Sequence, residues 1–224
     1  MSRRKWIVLA GLLCLSCGLL LPCTVEVRDG EGWVRSAYSL KNIGQALRLY
    51  QEDNGRLPPA VVRGKNGEPL YSWRVLLLPY LDYDTLYEQF RLDEPWDGEH
   101  NRKFLEQAPR CYVPGLGGDD DPGLTRYQLL VGPGTAFERG EGTTILVVEA
   151  GQPVPWSKPV DLTYDPGGPL PPLGGVFGKP VHFLCYELWR NPGFNAYFGD
   201  GSARFIRSDT DESTIRGLIA GKAE

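Results

Sequence analysis

The sequence predicts an α+β fold in which one long amphipathic helix is followed by antiparallel strands. Three observations predict it: a helical stripe of apolar residues between Gly32 and Asp53, short apolar runs bounded by glycine after Pro109, and two alternating runs around Asp200 and Gly201. The 28 glycines and 19 prolines among 224 residues indicate many turns between short elements. A long helical bundle is therefore not expected.

The first predicted element is a helix from about Gly32 to Asp53. It follows a glycine-rich break at Asp29–Gly32, and its apolar side chains recur at alternating steps of three and four residues. The stripe consists of Trp33, Ala37, Leu40, Ile43 or Gly44, Leu47 and Tyr50. Asn54 and Gly55, with two prolines shortly after them, are typical of a helix end.

Three shorter helices and two strands are predicted next. The helices are Trp73–Leu81, capped by Ser72 and interrupted by Pro79, then Asp84–Phe90, capped by Asp84, and then Asn101–Gln107. Tyr127–Val131 and Thr143–Glu149 are apolar or β-branched runs bounded by glycine, which is the pattern of strands. The tract Gly151–Gly178 is rich in proline and glycine, and we expect either an ordered loop or a disordered lid there.

The strongest local pattern is a β-hairpin formed by residues 194–198 and 202–206. Alternation places Phe194, Ala196 and Phe198 on one face of the first strand, and Asn195 and Tyr197 on the other. Asp200 and Gly201 are expected to supply the positive φ angles of a tight turn.

A final helix completes the predicted domain. Thr210 or Asp211 is expected to cap it, and Ile215, Leu218 and Ile219 to form its apolar side. No internal repeat is visible at a fixed period. Together these elements predict a single domain over residues 24–224.

The charge balance excludes one class of partner. The whole chain has 24 basic and 28 acidic side chains, and three of the basic ones are Arg3, Arg4 and Lys5. Without these three, the chain has 21 basic and 28 acidic side chains, which gives a net charge of about -7. A nucleic-acid partner is therefore not expected.

The N-terminal segment 1–23 has the pattern of an export signal or a membrane anchor. Basic residues 3–5 precede residues 6–21, which carry no charge over sixteen positions. As a helix this run would extend ~24 Å, against a hydrocarbon thickness of ~30 Å. Its apolar character predicts that the membrane is the partner of this segment.

Three fates of this segment are open: cleavage as a signal peptide, retention as an anchor with its basic end in the cytoplasm, or lipidation of a cysteine. Cys14 stands where a lipidation signal favours leucine, and Pro22 precedes Cys23, so retention or cleavage is favoured. Each fate places residues 24–224 outside the cytoplasm because positive charge stays inside. The predicted location is the cell envelope, either anchored in the inner membrane and facing the periplasm or secreted after cleavage.

Two cysteines belong to the body of the domain. In an oxidising compartment Cys111 and Cys185 could form one disulfide, and the alternative is two buried, inert thiols. Cys14, Cys17 and Cys23 belong to the leader or its border.

Motifs of the common catalytic classes are not found. The two histidines, His100 and His182, are 82 positions apart and form no metal-binding pair. No nucleophile elbow, phosphate-binding glycine loop or dinucleotide fingerprint is present. We therefore expect no enzymatic activity, no catalytic residue and no cofactor.

Two acidic clusters are weak candidates for binding. Asp93, Glu94, Asp97 and Glu99 surround Trp96, and an aromatic face beside carboxylates could hold a sugar, with Trp156 on a second loop. The alternatives are a solvated acidic loop and a tryptophan that fills a small core. The run Asp119–Asp121 could supply oxygen ligands to calcium, but the spacing of an EF-hand is absent and a surface loop is the alternative.

Several segments, taken together, resemble one bacterial family. They are Leu40–Leu47, Asn54–Pro59, Ser72–Leu81, Leu86–Phe90, Glu94–Asp97, Gly132–Phe137, Thr143–Glu149, Val154–Pro159 and the terminal hairpin. With these segments the chain resembles the domain of unknown function 1559 family, also labelled a solute-binding family, over most of residues 39–219. Members of this family look like type II secretion pseudopilins.

The resemblance implies a pilin-like fold, in which an N-terminal helix packs against an antiparallel sheet with long loops. The chain departs from the family at two places. Members begin with a processing motif that ends in a glutamate, whereas no acidic residue lies between Met1 and Val25 here, which leaves open whether the chain joins a pilus. Arg190 stands where the family's C-terminal signature has a histidine, ten residues before Asp200.

Two functions follow as hypotheses. The first is a pseudopilin-derived structural or assembly component of the envelope that works through protein partners. The second is an exported module that binds a carbohydrate or another solute through the Trp96, Asp97 and Trp156 loops. An exported hydrolase with paired carboxylates is the least favoured.

Overall fold

The computed structural model describes residues 32–113, 121–135, 137, 144–174, 181–183, 186–188 and 193–221. It contains a first helix and nine short strands in one large and two small sheets, which confirms the predicted α+β class. Within the described residues, no helix combines the length and the apolar composition that a membrane span requires. The predicted leader 1–23 and its border with the domain lie outside these residues.

The first helix, α1, covers residues 32–54, close to the predicted bounds. The middle of the predicted stripe is buried, at Leu40, Ile43, Gly44 and Leu47, whereas Trp33 at its start is exposed. The buried face also includes Ser36, Ser39 and Ala46, which the stripe omits. A small hairpin follows, formed by β1 (Val61–Arg63) and β2 (Pro69–Ser72). This hairpin is absent from the sequence prediction, because each strand has only three or four residues and prolines flank the pair.

Short helices lie between β2 and the main sheet. They are α2 (Trp73–Leu76), α3 (Asp84–Gln89) and three 3₁₀ helices, Leu78–Leu81, Asn101–Gln107 and Arg110–Tyr112. Ser72 caps α2 as predicted, since its side chain accepts a hydrogen bond from the Arg74 amide. Pro79 divides the predicted helix in two, and Asp84 lies inside the first turn of α3 instead of capping it.

The main sheet has five strands in the order β5-β3-β4-β8-β9. They are β3 (Leu124–Val131), β4 (Ile145–Pro155), β5 (Leu162–Thr163), β8 (Gly193–Phe198) and β9 (Ala203–Arg207). All neighbours pair antiparallel except β3 and β5. A separate pair consists of β6 (Val181–Phe183) and β7 (Tyr186–Leu188).

The predicted loop tract 151–178 differs from expectation over its described part. It includes the last five residues of β4 and all of β5, and it buries Trp156 and Tyr164. The chain therefore returns along the sheet here, beside β3, and residues 175–178 lie outside the described part.

Both faces of the main sheet are buried, so its central strands are apolar on both sides. Tyr127, Val147 and Tyr197 contribute to the core on the α1 side, whereas Phe194 and its alternating neighbours belong to a second core. The second core is closed by α4 (Glu212–Ala220). The alternation predicted for residues 194–198 is therefore confirmed, and so is the cap by Asp211, which accepts a hydrogen bond from the Thr214 amide.

Candidate functional site

The start of α1 is joined to the sheet by a buried polar cluster, here called the junction cluster, which consists of Ser36, Tyr127, Glu149 and Asn195. The Tyr127 hydroxyl donates to Ser36 Oγ at 3.0 Å, and Ser36 Oγ donates to Glu149 Oε1. The Asn195 amide donates to Glu149 Oε2 at 2.6 Å, and its side-chain Nδ2 donates to the carbonyl oxygen of Trp33 at 3.2 Å. The cluster thus ties α1 to β3, β4 and β8.

Glu149 is the unusual member of the cluster. Its side chain is completely buried, and among the described residues no cation forms an ion pair with it. The Arg126 guanidinium donates a hydrogen bond to the Gly151 carbonyl oxygen at 2.6 Å instead of to the carboxylate. Its positive charge therefore lowers the Glu149 pKa only from a distance. Burial therefore raises the Glu149 pKa to about 7, against the opposing effect of the hydrogen bonds from Asn195 and Ser36.

A second buried acid, Asp161, is paired with a cation, although burial still raises its pKa. Arg74 forms an ion pair with Asp161 at 2.8 Å, and its guanidinium also donates to the Tyr127 carbonyl oxygen at 2.7 Å. Asp161 in turn accepts hydrogen bonds from Trp73 Nε1 and from the Leu129 amide. This pair holds α2 and the segment before β5 against β3, and its enclosure indicates a structural role.

The Trp96 loop is shaped by a buried asparagine. Asn101 Nδ2 donates to the carbonyl oxygens of Arg91, Glu94 and Pro95, and Asn101 Oδ1 accepts from the Arg91 amide. Trp96 itself is half-buried, where it packs against the main core.

The partly exposed face of Trp96 has charged neighbours. Lys158 Nζ lies 5.7 Å from the centre of the ring, and Asp97 beside it is exposed. Trp96 therefore keeps only part of its surface exposed at this loop, and Lys158 lies over its ring.

Trp156 is not part of that surface. Its side chain is completely buried, its ring stacks on Tyr112 at 6.1 Å between centroids, and its Nε1 donates to the Leu105 carbonyl oxygen. The structure therefore does not bring Trp156 together with Trp96 in an exposed ligand loop, and Trp156 belongs to the core instead.

The predicted turn at Asp200 and Gly201 connects β8 and β9. Gly201 has a φ of 87°, whereas Asp200 keeps a negative φ and accepts hydrogen bonds from the Ser202 amide and hydroxyl, so only one of the two predicted positive φ angles is present. The turn borders an open groove of about 490 Å³ whose other wall is α1, with Lys41, Gln45 and Arg48. The hydrogen bond from the Ser202 hydroxyl is the main cause that lowers the Asp200 pKa.

Apolar side chains are exposed at the start of α1. Trp33 is 39% exposed, Val34 42% and Tyr38 64%. We call these three residues the helix-start patch. Val34 and Tyr38 lie on the helix face away from Ser36, whereas the Trp33 ring packs edge-on against Phe205 at 5.5 Å between centroids. The apolar leader precedes all three residues in the sequence.

The remaining predicted sites are only partly described. Cys111 has a free, half-buried thiol whose pKa burial raises to about 12, and Cys185 lies outside the described residues, so their disulfide stays a prediction. Asp119, Asp120 and Arg190 also lie outside them. Asp121 accepts a hydrogen bond from the Gly123 amide, and the described part of the chain contains no cluster of three metal-binding side chains.

The sequence interpretation missed the polar residues of the interior. The sequence pattern places Glu149 in a strand and indicates no role for Arg74 or Asp161. One signal was available: Glu149 ends the apolar run 145–148, where a charged side chain must either leave the core or be compensated within it.

Comparison with known proteins identifies one family. Residues 36–128 match the family described as Protein of unknown function (DUF1559), which confirms the resemblance over that range. No curated protein matches the chain, and no solved structure matches it.

Proposed function

From the membership of residues 36–128 in the family described as Protein of unknown function (DUF1559), we propose that this chain is an exported, non-enzymatic envelope protein. It acts as a pseudopilin-derived structural or assembly component. Its N-terminal segment holds it in the inner membrane or directs its secretion, so that the domain lies on the periplasmic side.

The observation that carries this proposal is the helix-start patch. Trp33, Val34 and Tyr38 are exposed at the start of α1, although the same helix buries Leu40 and Leu47 completely or almost completely. Exposed aromatic and apolar side chains in a group mark surfaces that contact another molecule. A protein that works through its surface needs such a patch, whereas a catalyst needs an accessible reactive group.

The buried acids support the non-enzymatic part of the proposal. Glu149 has no exposed surface and the Asp161 side chain is 2% exposed. Both accept hydrogen bonds inside the core, so neither is positioned to meet a substrate.

Photo-cross-linking in the native envelope tests this function. A photoreactive phenylalanine analogue replaces Tyr38 in the full chain, and a matched variant carries it at Lys65, which is exposed in the β1–β2 turn. We expect protein adducts from position 38 and none from position 65. Absence of any protein adduct from position 38 would contradict an assembly role.

A second function is favoured by one observation, the partly exposed Trp96 side chain beside Lys158 and Asp97. Such a surface suits a carbohydrate or another solute with an apolar face. Saturable binding of a glycan by the full chain in detergent, lost in Trp96→Ala and kept in Asp209→Ala, an exposed change after β9, would support a solute-binding module. Failure to bind across a glycan array would count against it.

A further inference from the structure

Glu149 lies where three strands and one helix meet. The surroundings of its carboxyl group stabilise a negative charge poorly. It is completely buried, and its hydrogen-bond donors, the Ser36 hydroxyl and the Asn195 amide, are both neutral. A buried carboxylate without a cationic partner is unfavourable, because neutral donors replace only part of the lost hydration.

The neighbouring elements supply few compensating groups. From β3, Tyr127 lies beside the carboxylate but its hydroxyl donates to Ser36, and Arg126 acts only at longer range because its guanidinium bonds to the Gly151 carbonyl oxygen. From α1 come the hydroxyl of Ser36 and, through Tyr127, that of Ser39.

The other groups that contact Glu149 from the described residues are uncharged. Asn195 is the polar contribution of β8, and the segment before residue 175 contributes only the Gly174 amide, which donates to the backbone carbonyl of Glu149. Arg35, the charged residue next to Ser36, is exposed.

One acceptor in the cluster is left over. Asn195 is 1% exposed, and its Oδ1 has no hydrogen-bond partner, because the Nδ2 of the same amide is turned towards the Trp33 carbonyl oxygen. The cluster therefore lacks one donor, and a protonated Glu149 would add one without introducing charge.

We propose that proton release from Glu149 to solvent undocks the first turns of α1 from the sheet, so that docking of this helix start depends on pH. With the carboxyl group protonated, two contacts hold the helix start on the sheet: Ser36 with Glu149, and the Trp33 carbonyl oxygen with Asn195. When the proton is lost, separation of the helix start lets water reach the carboxylate. The helix-start patch moves with these turns, since Trp33 itself accepts the hydrogen bond from Asn195.

The expected size of the effect follows from proton linkage. The Glu149 pKa is about 7 when docked, and its ordinary value of 4.5 applies when the carboxylate is hydrated. Between pH 5.5 and 8.5 the undocked fraction should therefore rise about 30-fold.

Hydrogen exchange of the full chain in detergent tests the proposal. Protection factors, corrected for intrinsic exchange rates, are compared for the amides of residues 36–40 and 44–50 at both pH values. We expect protection of 36–40 to fall about 30-fold from pH 5.5 to 8.5, and to stay below that of 44–50 at both pH values, because the latter amides exchange only on global unfolding.

Two variants separate the carboxyl group from general effects of pH. Glu149→Gln should abolish the pH dependence at 36–40, and Glu52→Gln, an exposed change on the same helix, should leave it intact. Equal protection at both pH values in the unmodified chain, or the same fall in Glu149→Gln, would overturn the proposal.

A second measurement does not depend on the variants. The carboxyl carbon of Glu149, followed by ¹³C NMR, should titrate well above 4.5, and titration at or below that value would overturn the proposal. This inference does not rest on the proposed function, because it concerns the helix and sheet of the domain itself and holds for either function.

Discussion

The ring of Tyr197 lies against the backbone of Gly44, in the space that a side chain at position 44 would occupy. A Cβ at this position would overlap the Cζ, Cε1 and Cε2 atoms of the ring. Gly44 is on α1 and Tyr197 is on β8, so this contact brings the helix directly onto the sheet. Gly44 belongs to Leu40–Leu47, one of the segments that carry the family resemblance. The close contact with Tyr197 explains why a residue without a side chain stands at this position.

Gly44→Ala should destabilise the domain although alanine favours helices. The added methyl group would push Tyr197 out of a well-packed position, and such overpacking costs about 1–3 kcal/mol. Urea unfolding followed by circular dichroism measures the change. Gln45→Ala, at the next and exposed position, is the control and should alter stability by less than about 0.5 kcal/mol. Equal stability of both variants would contradict the close contact.

Arg74→Met should be among the most damaging single changes. It leaves the buried carboxylate of Asp161 without its cation, and breaking a buried pair costs about 3–5 kcal/mol. Arg91→Met removes the exposed pair with Glu94 and should lower the melting temperature far less, because solvent screens an exposed ion pair. Thermal unfolding of the two variants gives the comparison, and similar melting temperatures would show that the buried pair is not needed.

Asp211→Ala should lower the melting temperature at neutral pH, because the Asp211 side chain caps α4. Its pKa is lowered to about 2, first by the hydroxyls of Ser213 and Thr214. A lowered carboxyl pKa means that the stabilisation is present above the ordinary Asp value and is lost as the pH falls through about 2. The difference in melting temperature between the parent and the variant should therefore shrink between pH 4 and pH 2, and a constant difference would exclude the capping charge.

Glu149→Gln should change the shape of the stability curve. The folded-state pKa of Glu149 is raised from 4.5 to about 7, so the folded chain binds more protons than the unfolded chain in this interval. Unfolding free energy should therefore fall as the pH rises from 4.5 to 7, by on the order of 3 kcal/mol, and the glutamine variant should lose this fall. Denaturant titrations at several pH values provide the measurement, and parallel curves for both proteins would contradict it.

Local patterns predicted the local parts of the fold. The α1 stripe, the cap by Ser72 and the alternation along residues 194–198 depend on spacings of two to four residues, which the sequence displays directly. The internal polar contacts could not be predicted in this way. Ser36 and Glu149 are 113 positions apart, and Arg74 and Asp161 are 87 apart, so only the tertiary arrangement brings each pair together.

Side-chain burial was harder to predict than secondary structure. Trp96 and Trp156 both follow prolines in loop-like sequence, yet Trp156 is enclosed by Tyr112 and Phe90, whereas Trp96 keeps part of its surface. The local sequence around the two tryptophans is alike, so it does not predict which of them is buried. The short strands β1, β2 and β5 were missed for a related reason, since two to four residues cannot display a period.

The central claim is that the leader carries the domain out of the cytoplasm. Fractionation of the native cell, with protease treatment of spheroplasts and mass spectrometry of the protein's N-terminus, tests it most directly. We expect a protease-accessible domain, with Met1 or Ser2 retained in the inner membrane or with a new N-terminus near residue 18 or 24. A full-length, protease-protected protein in the soluble cytosolic fraction would contradict the claim.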